Sequence, residues 1–219
     1  MPTVEEMLAL VTKLPSEHYG LLWRPTVGEH DPTDYFREWP QPIPPIHTSE
    51  LDIQVLRDAL SLLKDPKLVV EIGVSAAEGV TTTSIILEWK PDTCTYIGID
   101  TNSKAEFDNV GKKIYTLCNS SVEHDKLYAL MELLDLREID LMFVDGYHSI
   151  NEVLWEWEYW ERMAPNGVMV FHDSNYHPGP IAVLDAVDPE LFDVTYYGRE
   201  TPFFETDWGM AVVRRKIKE

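Results

Sequence analysis

The chain has 219 residues, 44% hydrophobic and 26% charged, with a formal net charge of -20 and a pI near 4.6. That length suits one domain with a sizeable core, and the acidic excess argues against nucleic acid, whose binders need a basic footprint to displace counterions. No run of about 18 apolar residues is present to span a membrane, and "MPTVEEMLALVTKLP" lacks the basic region and cleavage site of a secretory signal, so a soluble, cytoplasmic protein is expected.

The first segment reads as a helix, with Thr3 and Glu6 in capping-box spacing and Met7, Leu10, Val11 and Leu14 on one stripe before Pro15. Residues 25–45 are rich in proline but interleaved with Trp23, Tyr35, Phe36 and Trp39, which predicts an ordered arm: a lid, a contact between copies in a homo-oligomer, or a strap across the core. From Ser49 a capped helix carries Ile53, Leu56, Leu60 and Leu63. Then "KLVVEIGVS" reads as strand, "TTTSIILEW" as helix, "CTYIGID" as strand, "IYTLCNSS" as a further strand, "KLYALMELLDL" as helix, "IDLMFVD" as strand, "INEVLWEWEYWERM" as helix and "GVMVFHD" as strand. Short apolar strands alternating with helices predict a doubly wound α/β fold whose parallel sheet is covered on both faces. "FDVTYYG" and "WGMAVVRRK" are too close in sequence for a crossover helix and predict an antiparallel pair at one end of the sheet. Trp157 and Trp160 share a stripe with Val153, which favours the core over a ligand pocket, and the "HPGP" stretch after Tyr176 reads as a turn that would wall the site. Cys94 and Cys118 fit no metal or redox spacing and are expected to be buried thiols.

Ligands of such sheets sit beyond the carboxyl ends of the strands, near the switch in strand order. After the first parallel strand come Gly73, Val74, Ser75 and Gly79, a small-residue loop leading into a helix. Asp100 ends the second, with a carboxylate suited to ribose hydroxyls. Asn119, Ser120 and Ser121 follow the third and suit an adenine edge.

In these residues the sequence resembles the class I S-adenosylmethionine-dependent methyltransferases, and within them the metal-dependent small-molecule O-methyltransferases grouped with macrocin O-methyltransferase, relatives of the catechol enzymes. The most specific stretch is "FVDGYHSINEVLWEWEYWERMAPNGVMVFHD", and the match spans about residues 50 to 215. The resemblance implies a Rossmann-like, mostly parallel seven-stranded sheet, with residues 1–48 as an arm and 49–219 as the methyltransferase domain. It places Glu71, Gly73 and Ser75 on the methionine side of the cofactor, Asp100 at the ribose, and Ser120 and Ser121 at the adenine. The family's second glycine falls four residues after its first; here that place holds Ala77, and the glycine is Gly79.

Asp145 and Asp173 end the fourth and fifth parallel strands, and on neighbouring strands their carboxylates would repel unless something positive lay between them. A divalent cation, Mg²⁺ or else Mn²⁺ or Ca²⁺, held by Asp145, Asp173 and a neighbouring Ser174 or Asn175, resolves this. Asp145 has another reading, as the acceptor for the cofactor's amino group without metal. His148 occupies the histidine place of the family's turn, which makes it the candidate general base ahead of His172 and His177; its other reading is a helix cap. The expected activity is O-methylation of a small-molecule hydroxyl, on a sugar or natural-product scaffold. The alternatives are an iron-dependent hydroxylase of the cephalosporin hydroxylase type, or a cofactor-binding protein that has lost its chemistry.

Overall fold

The computed structural model describes residues 6, 8–28, 48–74, 80–102, 107–198 and 208–217. Near the N-terminus, strand β1 (Thr12–Leu14) pairs antiparallel with β2 (Arg24–Thr26). The helix expected to run to Pro15 therefore ends early. Leu10 and Leu14, two members of its stripe, are exposed and give a helical face nothing to gain, whereas the ladder to β2 pairs the backbone. Thr3 and Met7 lie outside the described residues, as does most of the proline-rich arm, including Tyr35, Phe36 and Trp39. The described part of the N-terminal region behaves as a strap: Trp157 Nε1 donates to the Tyr19 carbonyl at 2.7 Å, and Leu22 N donates to Ala186 O at 2.7 Å.

Beyond the strap, the order is α1 (Glu50–Ser61), β3 (Leu68–Ile72), α2 (Thr82–Trp89), β4 (Thr95–Asp100), β5 (Ile114–Cys118), α3 (His124–Leu133), β6 (Ile139–Val144), α4 (Ile150–Trp157), β7 (Met163–His172), α5 (Pro178–Asp185), β8 (Phe192–Tyr197) and β9 (Met210–Arg215). The sheet runs β5-β4-β3-β6-β7-β9-β8. Strands β3 to β7 are mutually parallel, and β9 lies antiparallel between β7 and β8. This is the Rossmann-like sheet with a terminal antiparallel pair, and its strand order reverses between β3 and β6.

Two elements differ from the sequence reading. The tryptophan-rich helix ends at Trp157 and continues as a 3₁₀ turn over Glu158–Glu161. The "HPGP" stretch is the first turn of α5, with Pro178 at the N-terminus where its missing N–H costs no hydrogen bond. Of the two cysteines, Cys94 is buried but Cys118 is exposed. Trp157 and Trp160 are fully buried, as their stripe predicts. Among the described residues, no helix is long and apolar enough to cross a membrane.

Strand alternation decides which side chains reach which layer. In β3, Leu68, Val70 and Ile72 pack with Leu127, Val153, Trp157 and Val183 of α3, α4 and α5. Val69 packs with Leu56, Leu60 and Ile86 of α1 and α2. In β7, Met169 and Phe171 join the first layer, and Val168 and Val170 the second. The same period of two turns Glu71 and His172 toward α1 and α2.

Candidate active site

The carboxyl ends of β3, β4, β5, β6 and β7 converge on one edge of the sheet. At β3, Gly73 has a φ of +82°, and a Cβ built on it would lie 1.9 Å from the Asp145 carbonyl oxygen, so only glycine lets this loop cross the β6 end. Two backbone bonds fix that crossing: Gly73 N donates to Ile99 O and Asp145 N to Ile72 O, each at 2.9 Å. Asp100 braces the same loop, its carboxylate accepting from Val74 N at 3.0 Å and from Asn102 N at 2.7 Å. Each oxygen retains a lone pair for a ligand. Ser75 and Gly79 lie outside the described residues.

Glu71 does not open onto this edge. It is fully buried, and its carboxylate accepts from the hydroxyls of Thr82 (2.8 Å), Thr83 (3.0 Å) and Tyr96, so it ties the start of α2 to β4. Burial pushes it up to about 7, against the pull of those three donors. At the β5 end, Asn119 Nδ2 donates to Ser120 O at 2.7 Å and Ser121 Oγ donates to Glu156 Oε1 at 2.6 Å. Glu156 is a second fully buried carboxylate, also pushed up to about 7 by burial. Sequence reasoning passed it over because it sits among exposed-looking acids on α4.

The densest chemistry lies between β6 and β7. Asp145 and Asp173 do stand at adjacent strand ends, and three imidazoles surround them. His172 Nδ1 is 3.2 Å from Asp145 Oδ1 and 2.9 Å from Asp173 Oδ1. His148 Nε2 is 2.9 Å from Asp173 Oδ2 and 3.5 Å from Asp145 Oδ1, and His177 Nε2 is 3.5 Å from Asp173 Oδ2. Two overlapping groups follow, Asp145 with His172 and Asp173, and His148 with Asp173 and His177, each compact enough to hold a metal ion. The side chain of Asp145 is 28% exposed and that of Asp173 4%, so Asp145 is the carboxylate that faces incoming ligands.

The charges are mutually adjusted. Burial opposes ionisation of both aspartates, but His172 and His148 outweigh it and hold both below the usual carboxylate range. Burial would depress His148, yet Asp173 and Asp145 carry it up to about 10; His172 is raised by the same pair. His177 goes the other way, down to about 4, through burial and the nearby His148 cation. His148 and His177 stack, with ring centroids 4.6 Å apart. Gly179 permits this: its N–H donates to His148 O, and a Cβ there would come within 2.3 Å of that oxygen.

The two other residues expected as metal ligands are held differently. Asn175 faces the terminal strands, with its N–H on Trp208 O at 2.9 Å and its side-chain Nδ2 on Gly198 O at 3.0 Å. Ser174 is fully buried, and its hydroxyl makes no hydrogen bond among the described residues. Beside both aspartates, together with His148, stands His172, which strand alternation in "GVMVFHD" could have pointed to.

Residues 70–174 match the model of a family described as a methyltransferase domain. No curated protein matches the chain in sequence. Among solved structures, the chain is similar to an rRNA methylase from Streptococcus thermophilus, with a TM-score of 0.51 and 14% identity over 78% of this chain and 99% of that one. It is also similar to MycE methyltransferase of the mycinamycin biosynthetic pathway, in complex with Mg, SAH and mycinamycin VI, with a TM-score of 0.54 and 17% identity over 74% of this chain. The aligned part is 48% of the MycE chain, about half its length. A third is the O-methyltransferase TomG from Streptomyces achromogenes, involved in tomaymycin synthesis and in complex with SAM, with a TM-score of 0.53 and 12% identity over 78% of this chain and 82% of that one. The matched domain spans a little under half of the chain, and the solved structures share its fold.

Proposed function

We propose that the protein methylates a hydroxyl oxygen of a small molecule, with S-adenosylmethionine as donor and a divalent cation at the β6–β7 edge. The observation that carries this is the Asp145–His148–His172–Asp173 cluster beside the strand-order switch, where the cofactor loop of Gly73 meets the β6 end. His172 Nδ1 and Asp173 Oδ1 are buried and 2.9 Å apart, yet among the described residues neither has a partner in good hydrogen-bond geometry. Such spacing suits two ligands of one ion, since donors about 2.1 Å from a metal at right angles lie about 3 Å apart. Mg and SAH bound to MycE methyltransferase, and SAM bound to the O-methyltransferase TomG, support the same reading by fold analogy.

S-adenosylmethionine supplies a methyl group already activated on a sulfonium, so the protein's task is chiefly positioning and deprotonation. Gly73, Val74 and Asp100 would hold its methionine and ribose portions, and Asn119, Ser120 and Ser121 its adenine. Asp145 and Asp173 would hold the cation, whose contribution would be Lewis acidity toward the acceptor hydroxyl. His148 then receives the acceptor's proton at Nε2, between Asp145 and Asp173. A cation bound between the two carboxylates would weaken their hold on the proton of His148 and leave its Nε2 free to accept one.

The test is calorimetric titration with S-adenosylhomocysteine, with Mg²⁺ or Mn²⁺ present and again after chelation. Saturable binding supports the reading; no binding in either condition overturns it. Asp145→Ala is expected to cut metal-dependent methyl transfer at least 100-fold, the scale of a lost charge-stabilising group. Turnover that persists in that variant removes the metal from the reaction.

A further inference from the structure

Helix α1 sends a carboxylate into the same cluster from behind. Asp52 is 4% exposed, and its Oδ2 lies 3.4 Å from His172 Nε2. That oxygen also accepts from Ser49 N at 2.8 Å, closing a capping box in which Ser49 Oγ accepts from Asp52 N. Its other oxygen, Oδ1, is buried with no hydrogen-bond partner among the described residues. A helix cap alone does not explain this. Capping carboxylates work well while solvated, and burying one with an unmet oxygen is costly unless a cation faces it. The group that Asp52 faces is the Nε2 of His172, which can donate its proton to the carboxylate.

The imidazole therefore stands between two carboxylate environments. Nε2 looks back at Asp52, and Nδ1 looks forward at Asp145 Oδ1 (3.2 Å) and Asp173 Oδ1 (2.9 Å). Strand alternation at the end of β7 turns the ring toward α1, and Phe143 flanks it with its ring centroid 6.2 Å away. A histidine that keeps its proton on the nitrogen facing a buried carboxylate presents a lone pair at the other nitrogen. That is the arrangement by which an outer carboxylate fixes the tautomer and orientation of a metal-ligating imidazole.

Resting on the metal-assisted reading above, we propose that His172 Nδ1 is the third protein ligand beside Asp145 and Asp173, and that Asp52 is its positioning residue. Two carboxylates and one imidazole form a softer donor set than an all-oxygen cage. The site therefore takes Mn²⁺, Co²⁺ or Zn²⁺ in preference to Mg²⁺, following the order in which imidazole discriminates among dications.

The experiment measures binding of Mn²⁺ and Mg²⁺ by calorimetry, and of Co²⁺ by its visible absorption, in the whole protein and two variants. Asp52→Asn keeps an oxygen for the Ser49 amide but removes the charge behind His172. Ser49→Ala removes the cap hydroxyl and leaves Asp52 in place. The expected result is tighter Mn²⁺ than Mg²⁺ binding, a Co²⁺ band characteristic of nitrogen ligation, and about tenfold or more weaker Mn²⁺ and Co²⁺ binding in Asp52→Asn, with an altered band. Ser49→Ala should melt at lower temperature yet bind metal as the parent does. Equal metal affinity in Asp52→Asn and the parent overturns the role of Asp52, as does an equal loss in Ser49→Ala, which would mark Asp52 as a cap only. Mg²⁺ bound as tightly as Mn²⁺ overturns histidine ligation while leaving the metal-assisted reading intact. A parent protein that binds none of these ions overturns both.

Discussion

Gly73 shows how much one residue carries at this site. Its φ of +82° already penalises any side chain, and a Cβ would fall 1.9 Å from backbone rather than from a side chain able to turn away. Strain of this kind costs about 1–3 kcal/mol, and overpacking against a fixed main chain adds a similar amount. Gly73→Ala should therefore lose roughly 3 kcal/mol in urea unfolding and weaken S-adenosylhomocysteine binding with it. A variant as stable as the parent would mean that the loop and the β6 end separate easily. The sequence made Gly73, Asp100, Asp145 and Asp173 legible because each ends an apolar run, where a strand must stop and a ligand can approach. It did not reveal that Glu71 turns inward, because a carboxylate two residues before a glycine turn looks the same whether it faces ligand or hydroxyls. Nor did it reveal Asp52 and Glu156, whose burial depends on which helix face meets the sheet.

At the scale of elements, the strands were the easy part. β3, β4, β6 and β7 are apolar almost throughout because both their faces are covered, and continuous runs of this kind stand out from the flanking helices. Helix α5 was hidden by its own start. Pro178, Gly179 and Pro180 are turn residues by composition, yet proline suits the first turn of a helix, and Gly179 is needed for contact rather than for a bend. Two effects compete at Gly179. Alanine gains about 1 kcal/mol in helix propensity, but its Cβ would stand 2.3 Å from His148 O and 2.7 Å from Ser149 O, an overlap worth about 1–3 kcal/mol or more because both are backbone. The overlap should win. Gly179→Ala is expected to lower the melting temperature and to reduce methyl transfer, since α5 holds His177 against His148; a rise in melting temperature would show that α5 has room to move. The three-residue strand β1 was misread for a different reason. Its period is too short to outvote an apparent helical stripe, and only tertiary pairing with β2 selects the ladder.

Across the whole molecule, the acidic composition conceals an uneven distribution: besides Asp52 and Asp173 at the cluster, Glu71 and Glu156 sit inside the fold, one beneath the start of α2 and one beneath the β5 and β6 ends. Glu71 rises from 4.5 to about 7 on folding. A raised pKa means that the folded state binds the proton more tightly. The contribution of Glu71 is therefore fully present below about pH 4.5 and is lost as pH rises through 7. At about 1.4 kcal/mol per pKa unit the full swing is on the order of 3 kcal/mol. Other groups titrate over the same range. Stability from His148 is present below pH 6.5 and lost as pH rises through about 10, while His177, depressed to about 4, works in the opposite sense between 4 and 6.5. Comparing two proteins that share those groups removes them from the difference. Glu71→Gln keeps an oxygen for Thr82 and Thr83 and has no charge to bury, so its stability relative to the parent should climb by roughly 3 kcal/mol between pH 4.5 and 8, read from urea midpoints at each pH. A difference that stays flat would mean that Glu71 remains ionised in the fold, held by its three hydroxyl donors against the cost of burial.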